Sequence, residues 1–240
     1  MGAERVVFVH GSGSFGAAAW PRQHGLSLDF DCLYIRRHGF SATEEPVATD
    51  HDLDLDQEIV ADALGGGGHV VAHAQGAVAA MMLAVDRPDL VRSLTLVEPA
   101  CFSLTADLPA TAAHIALMAP LFAERHAMSD DDLLRAFQRR VVDADARTPV
   151  TGSGAGARRD AARLRLQSPP WEAPLAIVPG VPTLVLTGGW EPLYEEVAEY
   201  LAGTGAIHRV APGGHRPHDT AEGDALIRAF LRAGGHEAAA

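Results

Sequence analysis

The chain of 240 residues is 48% apolar and 21% charged, with a formal net charge of −12. That length fits one large α/β domain or two small ones, and the composition is that of a globular protein with a sizeable core. The 19 basic residues are scattered, which excludes a dense phosphate-binding surface, and no apolar run approaches the ~18 residues of a membrane helix. Neither nucleic acid nor membrane is therefore an expected partner. The N-terminus MGAERVVFVHG lacks a basic leader with a cleavage site, and the two cysteines, Cys32 and Cys101, lack metal-type spacing. Both are expected to be buried thiols in a reducing, cytoplasmic setting.

In chain order, Arg5 to His10 is a nearly continuous apolar run stopped by glycine, the pattern of a strand buried on both faces. Gly11-Ser12-Gly13-Ser14-Phe15-Gly16 follows. Its spacing matches the dinucleotide fingerprint, and Arg36 and Arg37 after the next strand (Cys32 to Ile35) could meet a 2′-phosphate, so an NADP-binding oxidoreductase is one reading. Pro21 arrives too early for a long phosphate-capping helix. The competing reading makes His10-Gly11-Ser12-Gly13 an oxyanion loop whose freed N–H groups face a developing negative charge.

Asp54 to Leu64 has a helical period and stops at four glycines. His69 to Met82 then reads as strand, corner and small-residue helix. The corner, Ala72-His73-Ala74-Gln75-Gly76, has the small-x-x-x-small pattern of a nucleophile elbow, with Ala74 where Ser, Cys or Asp would stand. Leu94 to Val97 is another buried strand, closed by Glu98-Pro99. From Ala100 to about Pro179 the pattern turns helical, around Thr111 to His126 and Asp130 to Asp143, with a Gly/Ser-rich interruption at Thr151 to Gly156. Strand character resumes at Pro182 to Thr187, followed by Gly188-Gly189-Trp190-Glu191-Pro192 and a helix over Tyr194 to Leu201. The last strand, Ala206 to Val210, leads into Pro212-Gly213-Gly214-His215 and a closing helix over Thr220 to Arg232, after which the Ala-rich end is expected to fray. Strands alternating with helices in six rounds imply a parallel α/β sheet.

The order HGSG, AHAQG, helical insertion, GGW and GGH resembles the α/β-hydrolase family, from that family's third strand onward. LVEP and PPWEAP resemble segments of its small bacterial members. The resemblance implies a mostly parallel sheet flanked by helices, with residues 1–99 and 180–240 as core and residues 100–179 as a helical cap. It also implies a triad in chain order nucleophile, acid, histidine. Residue by residue, Ala74 falls on the nucleophile and His215 on the histidine. Glu98, at a strand tip, is the favoured acid, with Glu191 the alternative. Backbone N–H groups of Ser12, Gly13 and Gln75 would form the oxyanion site. His215, His218 and Asp219 make a poor zinc pattern outside a helix, and neither metal nor cofactor is expected.

A methyl group cannot attack a carbonyl, so the covalent route is closed to this chain. Three explanations fit. An engineered Ser-to-Ala change, inactivating a hydrolase of small esters, lactones or thioesters, leads. A natural enzyme that uses His215 as a general base, as lyase, isomerase or non-covalent hydrolase, is the second. A non-catalytic ligand-binding protein is the third. A small molecule is the expected partner in each case, and the sequence assigns no oligomeric state.

Overall fold

The computed structural model describes residues 2–41, 43, 52–140, 154–177 and 180–235. The described residues form six strands and seven α-helices: β1 (Arg5–Val9), β2 (Asp31–Tyr34), α1 (Asp52–Leu64), β3 (Gly68–His73), α2 (Gly76–Asp86) and β4 (Val91–Val97) make up the first half. The second half comprises α3 (Pro109–Glu124), α4 (Asp130–Arg140), α5 (Ala155–Leu166), β5 (Thr183–Thr187), α6 (Pro192–Gly203), β6 (Ile207–Val210) and α7 (Ala221–Arg232). The strand order is β2-β1-β3-β4-β5-β6, and every neighbouring pair is parallel.

Alternation along the strands distributes the core between two faces. Val7, Val9, Val70, Ala72, Leu94 and Leu96 pack with Val60 and Leu64 of α1, Ala77 and Ala80 of α2, and Val197 and Leu201 of α6. Val6, Phe8, Val71, Val97 and Leu186 point the other way, onto Trp20, Leu26 and α7 through Ile227 and Leu231. β3 is buried along its whole length and most of α2 is buried, which explains why both read as unbroken runs of small or apolar residues.

The helices of the central segment share a core of their own: Met118, Leu121 and Phe122 of α3, Leu133 and Leu134 of α4, and Ala161 and Leu164 of α5. Of the expected break over Thr151 to Gly156, Ala155 and Gly156 belong to α5. Gly154, at φ 157°, precedes α5 directly, and residues 151–153 lie outside the described residues, as do 141–143 of the helix expected to reach Asp143. The expectation for the Ala-rich end falls outside them too. Cys101 is buried as expected, but Cys32 is only half-buried because β2 is an edge strand. No helix among the described residues is long and apolar enough to cross a membrane.

Candidate active site

The C-terminal ends of β3 and β4 carry the described non-glycine residues with positive φ, Ala74 at 49° and Glu98 at 44°. An L-residue in this left-handed region costs on the order of 1–2 kcal/mol, so each must be held there by its surroundings. Ala74 is held by the neighbouring strand end: its N–H donates to Val97 O at 3.0 Å, and its carbonyl accepts from Ala100 N at 3.1 Å. The corner also requires Gly76. A methyl added there would lie 2.5 Å from His10 O and 2.8 Å from Val9 O, both backbone atoms that cannot move aside. Gly11 meets the corner from the other side, where an added methyl would sit 3.1 Å from both Ala74 Cβ and His73 Nδ1.

Glu98 is fully buried, and its carboxyl group is a convergence point. Oε1 accepts from Gly188 N–H at 2.6 Å, and Oε2 accepts from the Trp190 indole at 3.0 Å. His215 Nδ1 lies 3.4 Å from the same Oε2. The two glycine loops pass so closely that a methyl on Gly188 would lie 2.0 Å from Gly214 O. The GGW and GGH segments are thus spatial partners that deliver Trp190 and His215 to Glu98. Glu191 instead occupies the N-cap position of α6, where its side chain makes no capping bond.

His215 sits among rings, with centroids 4.6 Å from His73, 5.1 Å from Tyr194 and 6.3 Å from Trp190. His73, the residue before the corner, bonds through Nε2 to His215 O at 2.8 Å. Burial, reinforced by the neighbouring His215 and His218, holds His73 well below the usual imidazole range, so it is neutral and its N–H donates. His218 is fully buried against Trp20 and His73, and burial pushes its pKa down to about 3. It is a buried wall rather than a solvent-facing ligand. Among the described residues no group of three or more His, Cys, Asp or Glu side chains is placed to hold a metal ion.

The glycine-rich segment after β1 opens onto a four-residue 3-10 turn, Gly16–Ala19, which supplies no long helix N-terminus for a pyrophosphate. Arg37 is buried and paired with Asp56 at 2.7 Å, so the expected pair of phosphate-seeking arginines is reduced to Arg36. His10 explains part of the segment's composition. Its Nδ1 bonds Gly11 O at 2.6 Å while Nε2 accepts from Arg37 N–H at 3.1 Å, an arrangement that needs a neutral ring. Burial first, and Arg37 second, push its pKa down to about 3.

Ser12 and Gly13 are exposed at the mouth of this corner, and Gln75 is the buried N-cap of α2. The structure therefore assembles Ala74, Gly11, His73, Glu98 and His215 on neighbouring loops at the C-terminal edge of the sheet. Sequence reasoning missed Gly188, Trp190 and His73 as partners of the Glu98–His215 pair. For Gly188 and Trp190 the signal was the doubled glycine, and for His73 its place beside the corner residue. A cavity of about 370 Å³, lined by Met81, Leu94, Ile177, Pro182 and Ile207 among others, lies toward the opposite end of the strands and does not touch these groups.

An all-parallel sheet with a left-handed corner after β3 and a Glu–His pair beyond β4 and β6 defines a hydrolase-type fold. The sequence profile of the alpha/beta hydrolase family matches residues 6–229, and the chain belongs to that family. It is similar over 95% of its length to an alpha/beta hydrolase from Sphaerobacter thermophilus DSM 20745 (91% of that chain, TM-score 0.64, 21% identity). It is also similar to the enol-lactonase from Burkholderia xenovorans LB400 (97% and 91% covered, TM-score 0.63, 18% identity). MenH from S. aureus gives comparable values (97% and 95% covered, TM-score 0.62, 17% identity). These identities speak for the fold alone. A curated relative from Arabidopsis thaliana, named "Probable lysophospholipase BODYGUARD 4", is 30% identical over 114 residues. The match takes in 44% of this chain and 27% of the relative, so the chain spans about a quarter of that protein's length.

Proposed function

We propose that this chain is an inactivated form of a hydrolase that cleaves a small ester, lactone or thioester, with Ala74 at the nucleophile position. The observation that carries this reading is the left-handed backbone of Ala74, retained within a frame that holds Glu98 3.4 Å from His215. A corner with no chemical purpose has no need of this left-handed backbone and could relax. In a serine-bearing form the hydroxyl at position 74 attacks the acyl carbon. His215 takes its proton at Nε2 and later returns it to the leaving group, while Nδ1 faces Glu98. Backbone N–H groups of Ser12, Gly13 and Gln75 stabilise the oxyanion. Water then releases the acyl group by the same proton path. The helices of residues 100–179 act as a cap, a role supported by their separate apolar cluster. The two unpaired cysteines favour a cytoplasmic site of action.

The test is Ala74→Ser. It is expected to hydrolyse p-nitrophenyl acetate at least ~10³-fold faster than the alanine form, because losing a serine nucleophile costs a factor of ~10⁶ in comparable triads. An Ala74→Ser protein that is folded but idle on activated short-chain esters overturns the reading. A second reading is favoured by one observation: the Glu98–His215 pair is complete without position 74. His215 would then act on water or on a substrate C–H directly. This predicts turnover by the alanine form itself that is lost in His215→Ala.

A further inference from the structure

The candidate oxyanion residues Ser12 and Gln75 lie 63 positions apart in the chain, yet both side chains are bonded by the same dipeptide. Gln167 Nε2 donates to Ser12 Oγ at 2.8 Å, and Gln75 Nε2 donates to Ser168 O at 3.3 Å. The dipeptide follows directly on α5 and is itself fixed from below. Asp52, buried at the start of α1, accepts from both the backbone N–H of Ser168 (3.1 Å) and its hydroxyl. One turn earlier, the Arg163 guanidinium packs over Phe15 at 4.8 Å and Phe40 at 5.3 Å, and it donates to the carbonyls of Gly39 and Ser41.

We propose that Gln167 and Ser168 are positioning residues that set the spacing of the two oxyanion donors. Gly11 is held by its bond with His10 and by its packing on the corner, but Ser12 and Gly13 beyond it are exposed, and an added methyl on Gly13 would meet nothing within 4 Å. An oxyanion site works only if its N–H groups are fixed before charge develops. The Gln167 amide ties the loop to α5. The Ser168 carbonyl ties the N-terminus of α2, through Gln75, to the same point. Asp52 anchors that point to the core, so the distance between the donors is fixed by a segment of the helical insertion. A change in the seating of α5 is therefore transmitted to the reacting carbonyl without any contact to substrate. The inference rests on the hydrolase reading above for its catalytic meaning, but not for its geometry.

Two measurements test it separately. In the alanine form, backbone 15N order parameters are followed at Ser12 and Gln75 in Gln167→Leu and in Asp52→Asn. Both residues are expected to lose order in Asp52→Asn, and Ser12 in Gln167→Leu. Unchanged order parameters at both residues in both folded variants overturn the proposal, whatever the activity of the site. In an Ala74→Ser background assayed with p-nitrophenyl acetate, Gln167→Leu and Ser12→Ala are each expected to lower kcat about tenfold. KM stays within about twofold, and the double variant is no worse than either single one, because both remove one bond. A KM effect alone, or an unchanged kcat in an active background, contradicts positioning. An idle Ala74→Ser protein with lowered order parameters in the variants overturns the hydrolase reading and leaves the positioning device standing.

Discussion

The ends of β3 and β4 are built alike and equipped differently. Each strand terminates in a non-glycine residue with φ near +45°, at Ala74 and Glu98, and each turn is bonded to the next strand over. At Glu98 the unusual backbone delivers a buried carboxyl group to three donors. At Ala74 it delivers a methyl group. The fold therefore sustains the same backbone strain twice, once with a side chain that uses it and once without. On the hydrolase reading proposed above, the two ends differ in the side chain carried and not in the backbone that carries it.

The largest effect expected from this comparison concerns the acid. In an Ala74→Ser background, Glu98→Gln lowers kcat by roughly 10²–10⁴, as loss of the orienting acid does in serine triads. Glu191→Gln, at the cap of α6, stays within about twofold. The reverse ranking in steady-state kinetics would reassign the acid.

The glycines guarding the two ends come next. Gly76→Ala and Gly188→Ala place a methyl 2.5 Å and 2.0 Å from fixed carbonyl oxygens. Each is expected to cost about 3 kcal/mol or more, read from urea midpoints. Loss of stability at one glycine only would show that one end is free to adjust.

Acid should loosen the floor shared by both ends. His10 and His218 are buried with folded pKa values of about 3, and His73 is shifted in the same direction. Unfolded histidine titrates near 6.5, so between about 6.5 and 3 the unfolded chain binds protons that the folded chain refuses. Stability is then fully present above pH 6.5 and falls on acidification. At pH 5, His10 and His218 each account for about 2 kcal/mol of the loss. Equal urea midpoints at pH 7.5 and pH 5 would contradict this.

The smallest effect is expected at the corner itself. Ala74→Gly relieves about 1 kcal/mol of backbone strain and removes a buried methyl worth about 0.8 kcal/mol, so the net change stays under about 1 kcal/mol. A larger loss would mean that the methyl is a structural element in its own right.

Much of the frame was legible in the sequence because it rests on local rules. Buried parallel strands announce themselves as runs such as Val6 to Val9, and the corner as small residues around Ala74 with a helix behind it. Burial on both faces erases the polar alternation that would make such strands ambiguous with exposed ones. The half-buried Cys32 departs from expectation because edge position is set by strand order, which no local pattern encodes. The bonds of Gly188 and Trp190 to Glu98 span 90 and 92 positions and depend on two loops meeting, so residue type alone could not suggest them. The dipeptide at Gln167 and Ser168 was equally silent, being two ordinary polar residues before a proline pair.

The most direct measurement is the intact mass of the Ala74→Ser protein after exposure to a fluorophosphonate, with His215→Ala in the same background as its partner. A single adduct on the side chain at position 74, formed rapidly with His215 present and slowed by several orders of magnitude without it, is the predicted result. A folded Ala74→Ser protein that takes up no adduct, or takes it up equally without His215, would contradict the claim that this frame is built for acyl chemistry.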